Sequence, residues 1–103
     1  MIDVAAKDFK IIQTILSTHV PHCEVRAFGS RVHHTAKPYS DLDLAVVGGS
    51  QLPDCQFHAL KEAFEESDLP FRVDVMDWNV LSNDFQKVIS KEFVVIQTKA
   101  PVS

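Results

Sequence analysis

Apolar residues recur along this chain with two different periods. Phe9, Ile12 and Leu16 are spaced three and four apart, with Ile11 and Ile15 widening the stripe. That spacing predicts a helix over about 8–19, which Pro21 stops. From Cys23 the period drops to two. Cys23, Val25 and Ala27 fall on one face and Glu24, Arg26 and Phe28 on the other, the alternation of a short strand. Gly29 ends this strand, and Ser30 can cap one short helical turn. Lys37-Pro38-Tyr39-Ser40 reads as a loop, because proline disfavours helix in the residue before it. Leu42 to Val47 is an apolar strand closed by Gly48-Gly49-Ser50. Helical spacing returns from Asp54 to about Glu66, with Phe57, Leu60 and Phe64 as the buried stripe. Phe71 to Met76 is a third strand. Ser82 caps a last helix running to about Lys91, with Phe85, Val88 and Ile89 inward, and Phe93 to Ile96 is a final short strand.

The connections restrict how these elements assemble. Strands two and three are joined through a helix and can lie parallel; strands one and two are joined by a short reversing link and can pair antiparallel. This describes an α/β (α+β) chain with a small mixed sheet of three to four strands flanked by helices. In that arrangement the C-terminal end of strand one and the N-terminal ends of strands two and three share one edge. Gly29, Ser30, Asp41, Asp43 and Asp74 all stand near it.

Composition adds bounds. With 103 residues, 46% of them hydrophobic, residues 1–103 are expected to form one domain with one core and no separate substrate domain. A formal charge of −4 argues against general nucleic-acid binding, which needs clustered positive charge. Cys23 and Cys55 are far apart and form no CxxC, so neither a zinc knuckle nor a disulfide framework is expected. No secretory h-region and no membrane-length apolar run is present, and a cytoplasmic protein is expected.

The chemistry concentrates at the shared edge. Strand alternation puts Asp41 and Asp43 on one side and Leu42 and Leu44 on the other. Asp74, between Val73 and Val75, repeats this on the third strand. Carboxylates so placed repel each other unless a cation lies between them, and hard oxygen donors suit Mg²⁺ or Mn²⁺ rather than zinc. Three of them can hold two ions about 3.5–4 Å apart, an arrangement suited to phosphoryl or nucleotidyl transfer. Gly29 lets a backbone approach phosphate closely, and the N–H groups opening the next turn, with the Ser30 hydroxyl, can donate to it. Arg31 and Lys37 could neutralise outgoing pyrophosphate. A lone Gly-Ser is usually a turn and a lone Asp-x-Asp usually solvated charge; the weight lies in their joint occurrence at one edge.

Gly29-Ser30, ten residues, Asp41-x-Asp43, then Asp74 between hydrophobic residues resembles the DNA polymerase β-like nucleotidyltransferase superfamily. More closely it resembles the minimal nucleotidyltransferases of bacteria and archaea, of the MNT antitoxin type. The resemblance runs through AFGSR, YSDLDLAV, LKEAF, SDLPFRVDVMDW and VVIQ. It implies that Asp41 and Asp43 ligate two metal ions and that Asp74 ligates the catalytic one and helps deprotonate an incoming hydroxyl. It implies that Gly29 and Ser30 hold the β- and γ-phosphates of a nucleoside triphosphate, with ATP as donor. Relatives of this size typically act with a separately encoded helical protein of the HEPN or nucleotidyltransferase substrate-binding kind, encoded nearby. The implied function is transfer of AMP to a tyrosine of that partner within a toxin–antitoxin pair, and hence a hetero-oligomer. Two other readings are a module that neutralises its partner by contact alone, and transfer to a small molecule. The sequence departs from the resemblance at His33-His34, where members often carry a basic residue and a glycine. Glycine ends a short helix in a left-handed conformation more easily than His34 does. Trp78 could stack on a base, although packing is its more usual use.

Overall fold

The computed structural model describes residues 2, 4–33 and 40–99. Lys37, His34 and most of the predicted 37–40 loop lie outside them. Helix α1 spans Ala6–His19, strand β1 Glu24–Phe28, the one-turn helix α2 Ser30–His33 and strand β2 Leu42–Val47. Helix α3 spans Asp54–Glu65, strand β3 Val73–Asp77, helix α4 Asn83–Lys91 and strand β4 Val94–Gln97; a 3-10 turn, Trp78–Val80, links β3 to α4. The sheet order is β3-β2-β1-β4, with β1 antiparallel to β2 and β4 and β2 parallel to β3.

Strand alternation sorts the side chains into two cores. Val25, Ala27, Leu42, Leu44, Val46 and Val75 face α1 and α3, meeting Ile12, Leu16, Leu60 and Phe64. On the other face Phe28 and Ala45 meet Ile89 of α4, with Met76, Trp78, Leu81, Phe85 and Phe93 around them. The chain is thus a sheet between two helical layers, the α4 layer being thinner. Gln97 Nε2 donates to the Val20 and Cys23 carbonyls and Gln56 Nε2 to the His19 carbonyl, so side chains of β4 and α3 satisfy orphan carbonyls where α1 ends.

The predicted bounds of β2 coincide with the observed ones, and both pairing directions hold. Other element ends shift by one or two residues, and three differences have a visible physical setting. β3 starts two residues later than the hydrophobic run predicts, because Phe71 stays outside the ladder and packs under the Arg31 guanidinium, 4.1 Å from its ring centroid. Cys23 closes a turn to the Val20 carbonyl instead of opening β1. Val88, expected inward, is 58% exposed: α4 rests on a single sheet face, so only the line through Ile89 and Phe85 is covered.

Candidate active site

The two carboxylate strands and the Gly29-Ser30 turn meet in register. Phe28, the last residue of β1, lies opposite Asp43 of β2, and Asp43 lies opposite Asp74 of β3. The order across the sheet edge is therefore Gly29, Asp43, Asp74. The Leu42 N–H donates to the Arg72 carbonyl at 2.9 Å, extending the β2·β3 pairing to the residues that precede Asp43 and Asp74.

Gly29 has φ +86, the left-handed region where a side chain is strained. Its other face is closed as well. A Cβ at this position would collide with Asp43 Oδ2 and lie 3.3 Å from its Cγ. The turn that would cradle a phosphate thus rests directly on a candidate metal ligand. The Val32 N–H donates to the Gly29 carbonyl at 3.0 Å, closing the turn that Ser30 opens. Ser30 is half-buried at the start of α2.

Asp43 is half-buried, and its carboxyl is pushed up to about 6 by burial first, then by Asp74, then by Asp41. Asp41 precedes β2 by one residue and is exposed; Asp74 is half-buried within β3. Among the described residues no three His, Cys, Asp or Glu side chains stand close enough together to hold an ion as they are. Without a counter-charge, repulsion favours such separation. The donor set still fits a hard divalent cation: all three side chains offer oxygen, and a cation among them would oppose the repulsion that raises Asp43.

Arg31 is the second residue of α2. It is buried, its Nε donates to the Ser40 carbonyl at 2.9 Å, and its guanidinium covers the Phe71 ring. It thereby ties α2, the residue before Asp41 and the approach to β3 into one unit. Sequence reasoning missed this tie, since Arg31 and Phe71 are 40 positions apart with nothing local to pair them. Trp78 receives the Arg26 guanidinium 4.8 Å from its centroid, and Phe93 receives the same group at 4.7 Å, which uses Trp78 in packing. Cys23 is buried, with its thiol raised by burial, and Cys55 is exposed; both are free. No helix among the described residues is long and apolar enough to cross a membrane.

Known proteins share this plan. A protein of Haemophilus influenzae named probable protein adenylyltransferase MntA is 50% identical over 98 residues, covering 95% of this chain and 86% of the relative. A crystal structure of a toxin–antitoxin complex with AMP-PNP has a TM-score of 0.74 at 22% identity, over 88% of this chain and 73% of that one. A structure of a tri-AMPylated Shewanella oneidensis HEPN toxin in complex with MNT antitoxin gives 0.67 at 20% identity, over 90% and 71% of the two chains. At such identities the solved structures show a common fold. The profile of the family "Polymerase beta, Nucleotidyltransferase" matches residues 10–101, a span that holds Gly29, Ser30 and all three candidate aspartates. By that match and by its half-identical relative, the chain belongs to the polymerase β nucleotidyltransferase family of enzymes.

Proposed function

We propose that this chain is a cytoplasmic, Mg²⁺-dependent protein adenylyltransferase that moves AMP from ATP to a tyrosine hydroxyl of a separately encoded helical HEPN-type partner. It would do so as the antitoxin of a toxin–antitoxin pair, with residues 1–103 acting as one domain in a hetero-oligomer. The observation that carries the reading is the in-register row of Gly29, Asp43 and Asp74 on three adjoining segments. Support also comes from the Haemophilus influenzae relative's name and from the AMPylated HEPN toxin seen with an MNT antitoxin of the same fold.

In this mechanism the acceptor oxygen bonds to the α-phosphorus, the bond to the bridging oxygen breaks, and pyrophosphate leaves. Gly29 and Ser30 hold the β- and γ-phosphates through backbone N–H groups and the hydroxyl. Asp41, Asp43 and Asp74 would hold Mg²⁺ ions, which when bound would supply charge stabilisation to the attacking and leaving oxygens. Asp74 also draws the proton from the acceptor hydroxyl. Arg31 keeps the three segments in register rather than meeting pyrophosphate itself.

The test is to incubate the protein with ATP, Mg²⁺ and the helical protein encoded beside it, then weigh that protein. One or more added AMP groups are expected with wild type and none with the Asp41→Ala/Asp43→Ala variant. An unmodified partner across several nucleotides sinks the proposal. A variant that still neutralises the partner points instead to neutralisation by contact.

A further inference from the structure

Beside the site lies a groove of about 330 Å³ between α3 and the strand edge of β3. Phe64, Leu69 and Phe71 supply apolar lining, Lys61 and Arg72 stand on its rim with Glu65, and Asp74 belongs to its wall. Asp74 borders it through its place on β3: Val73 and Val75 turn their side chains to the α3 face, where the groove lies, and by strand alternation the Asp74 carboxylate turns to the other face of the same edge. Among the described residues β3 is the last strand of the sheet on this side. Because the Arg72 carbonyl accepts from Leu42 of β2, the parallel ladder directs the backbone of residues 72, 74 and 76 toward β2. The N–H and C=O groups of Val73 and Val75 then face outward into the groove. An edge of this kind with a pocket beside it is how extended peptides are bound by strand addition.

The order across the sheet decides which reactant belongs here. Gly29 and Ser30, the phosphate turn, lie on the β1 side of Asp43, and Asp74 lies on the β3 side. An in-line displacement places the leaving and attacking groups on opposite sides of the phosphorus. With pyrophosphate leaving toward β1, the hydroxyl arrives from β3. We propose that this groove receives the segment of the protein acceptor that carries the hydroxyl, laid as an extended strand along β3. Alternate side chains of such a strand fall on the two faces of the sheet, so its hydroxyl meets Asp74 on one face and a neighbouring apolar side chain meets Leu69 and Phe71 on the other, with a carboxylate at the rim for Lys61 and Arg72. The proposal rests on the protein-adenylylation reading above and adds where the acceptor enters.

The test compares wild type with Lys61→Glu/Arg72→Glu, two exposed positions whose exchange leaves the core untouched. The probes are the helical neighbour protein, ATP and a non-hydrolysable ATP analogue. The variant is expected to raise the KM for the acceptor protein roughly tenfold while the KM for ATP stays fixed, as loss of rim complementarity dictates. Hydrogen exchange of wild type with the analogue and the neighbour bound is expected to slow at the Val73 and Val75 amides. Unchanged acceptor KM together with unchanged exchange at these amides overturns the groove, while transfer by wild type leaves the adenylylation reading standing. If the neighbour binds without being modified, the exchange measurement alone decides the groove. If it does not bind, both readings fall.

Discussion

The two ends of the β2·β3 ladder carry buried carboxylates that the fold treats in opposite ways. At one end Asp43 lies opposite Asp74; at the other Val46 lies opposite Asp77. Asp77 is the more deeply buried, at 4% exposure, yet it is fully engaged. Its Oδ2 accepts from the Leu52 N–H at 2.8 Å and its Oδ1 from the Asn79 N–H at 3.0 Å, while Asn79 Nδ2 donates to the Gly48 carbonyl. Asp77 thus fastens the turn after β2 to the turn after β3. Asp43, less buried, faces two other carboxylates, and no salt bridge among the described residues reaches it. Depth alone does not separate a structural acid from a reactive one. What separates them is whether the chain supplies the counter-charge or donors itself.

The sharpest way to break this contrast is to neutralise each acid in turn. Asp43→Asn is expected to lower nucleotidyl transfer by more than about a hundredfold, beyond the usual cost of disturbing a group that only supports a metal ligand. Its urea midpoint should stay level or rise, since a repelling charge has gone. Asp77→Ala is expected to do the reverse. The buried Leu52 N–H and the half-buried Asn79 N–H lose their acceptor, and unfolding stability should drop by about 2–3 kcal/mol in urea titrations. A large stability loss in Asp43→Asn would erase the distinction.

Acidity sharpens it further. Because the folded-state carboxyl of Asp43 lies at about 6, above its ordinary 3.8, the folded chain binds this proton more tightly than the unfolded chain does. Its burden on stability is therefore full above about pH 6 and is relieved as pH falls from about 6 toward 3.8. Thermal melts in EDTA should show this group's contribution shrinking as pH rises through that window. Asp43→Asn should remove that contribution, and saturating Mg²⁺ should flatten it by holding the carboxylate ionised.

The smallest expected effect concerns Arg31. Arg31→Lys keeps the charge but loses the planar Nε donor to Ser40 and the flat contact with Phe71. Stability should fall by about 1 kcal/mol with the KM for ATP nearly unchanged. A large rise in that KM with stability intact would return Arg31 to the phosphates.

Where local spacing decides an element, the sequence was a sufficient guide. The alternation of Leu42 to Val47 sets both the strand and the face of Asp43, and the Ser82 hydroxyl does accept from the Phe85 N–H as a cap. The row of Gly29, Asp43 and Asp74 followed from connectivity and alternation alone. What could not be read depends on partners distant in the chain. β4 lies beside β1 where the ring of Phe93 and the guanidinium of Arg26 meet, a contact between residues far apart in the chain. The stopping of β3 short of Phe71 requires Arg31. The exposure of Val88 depends on how thin the second layer is, which no helical stripe reports. Asp77 was legible in principle: an aspartate just before Trp78-Asn79 can accept from an N–H two residues on, and it does.

Gly29 and Asp43 are in contact with no room between them. The proposed phosphate grip and the proposed metal grip are therefore one part and not two. Neither can be lifted into another scaffold, or rebuilt by design, without carrying the other along at fixed spacing. An engineer seeking a new nucleotide preference in this chain has freedom at the rim of the site and almost none where strand β1 ends.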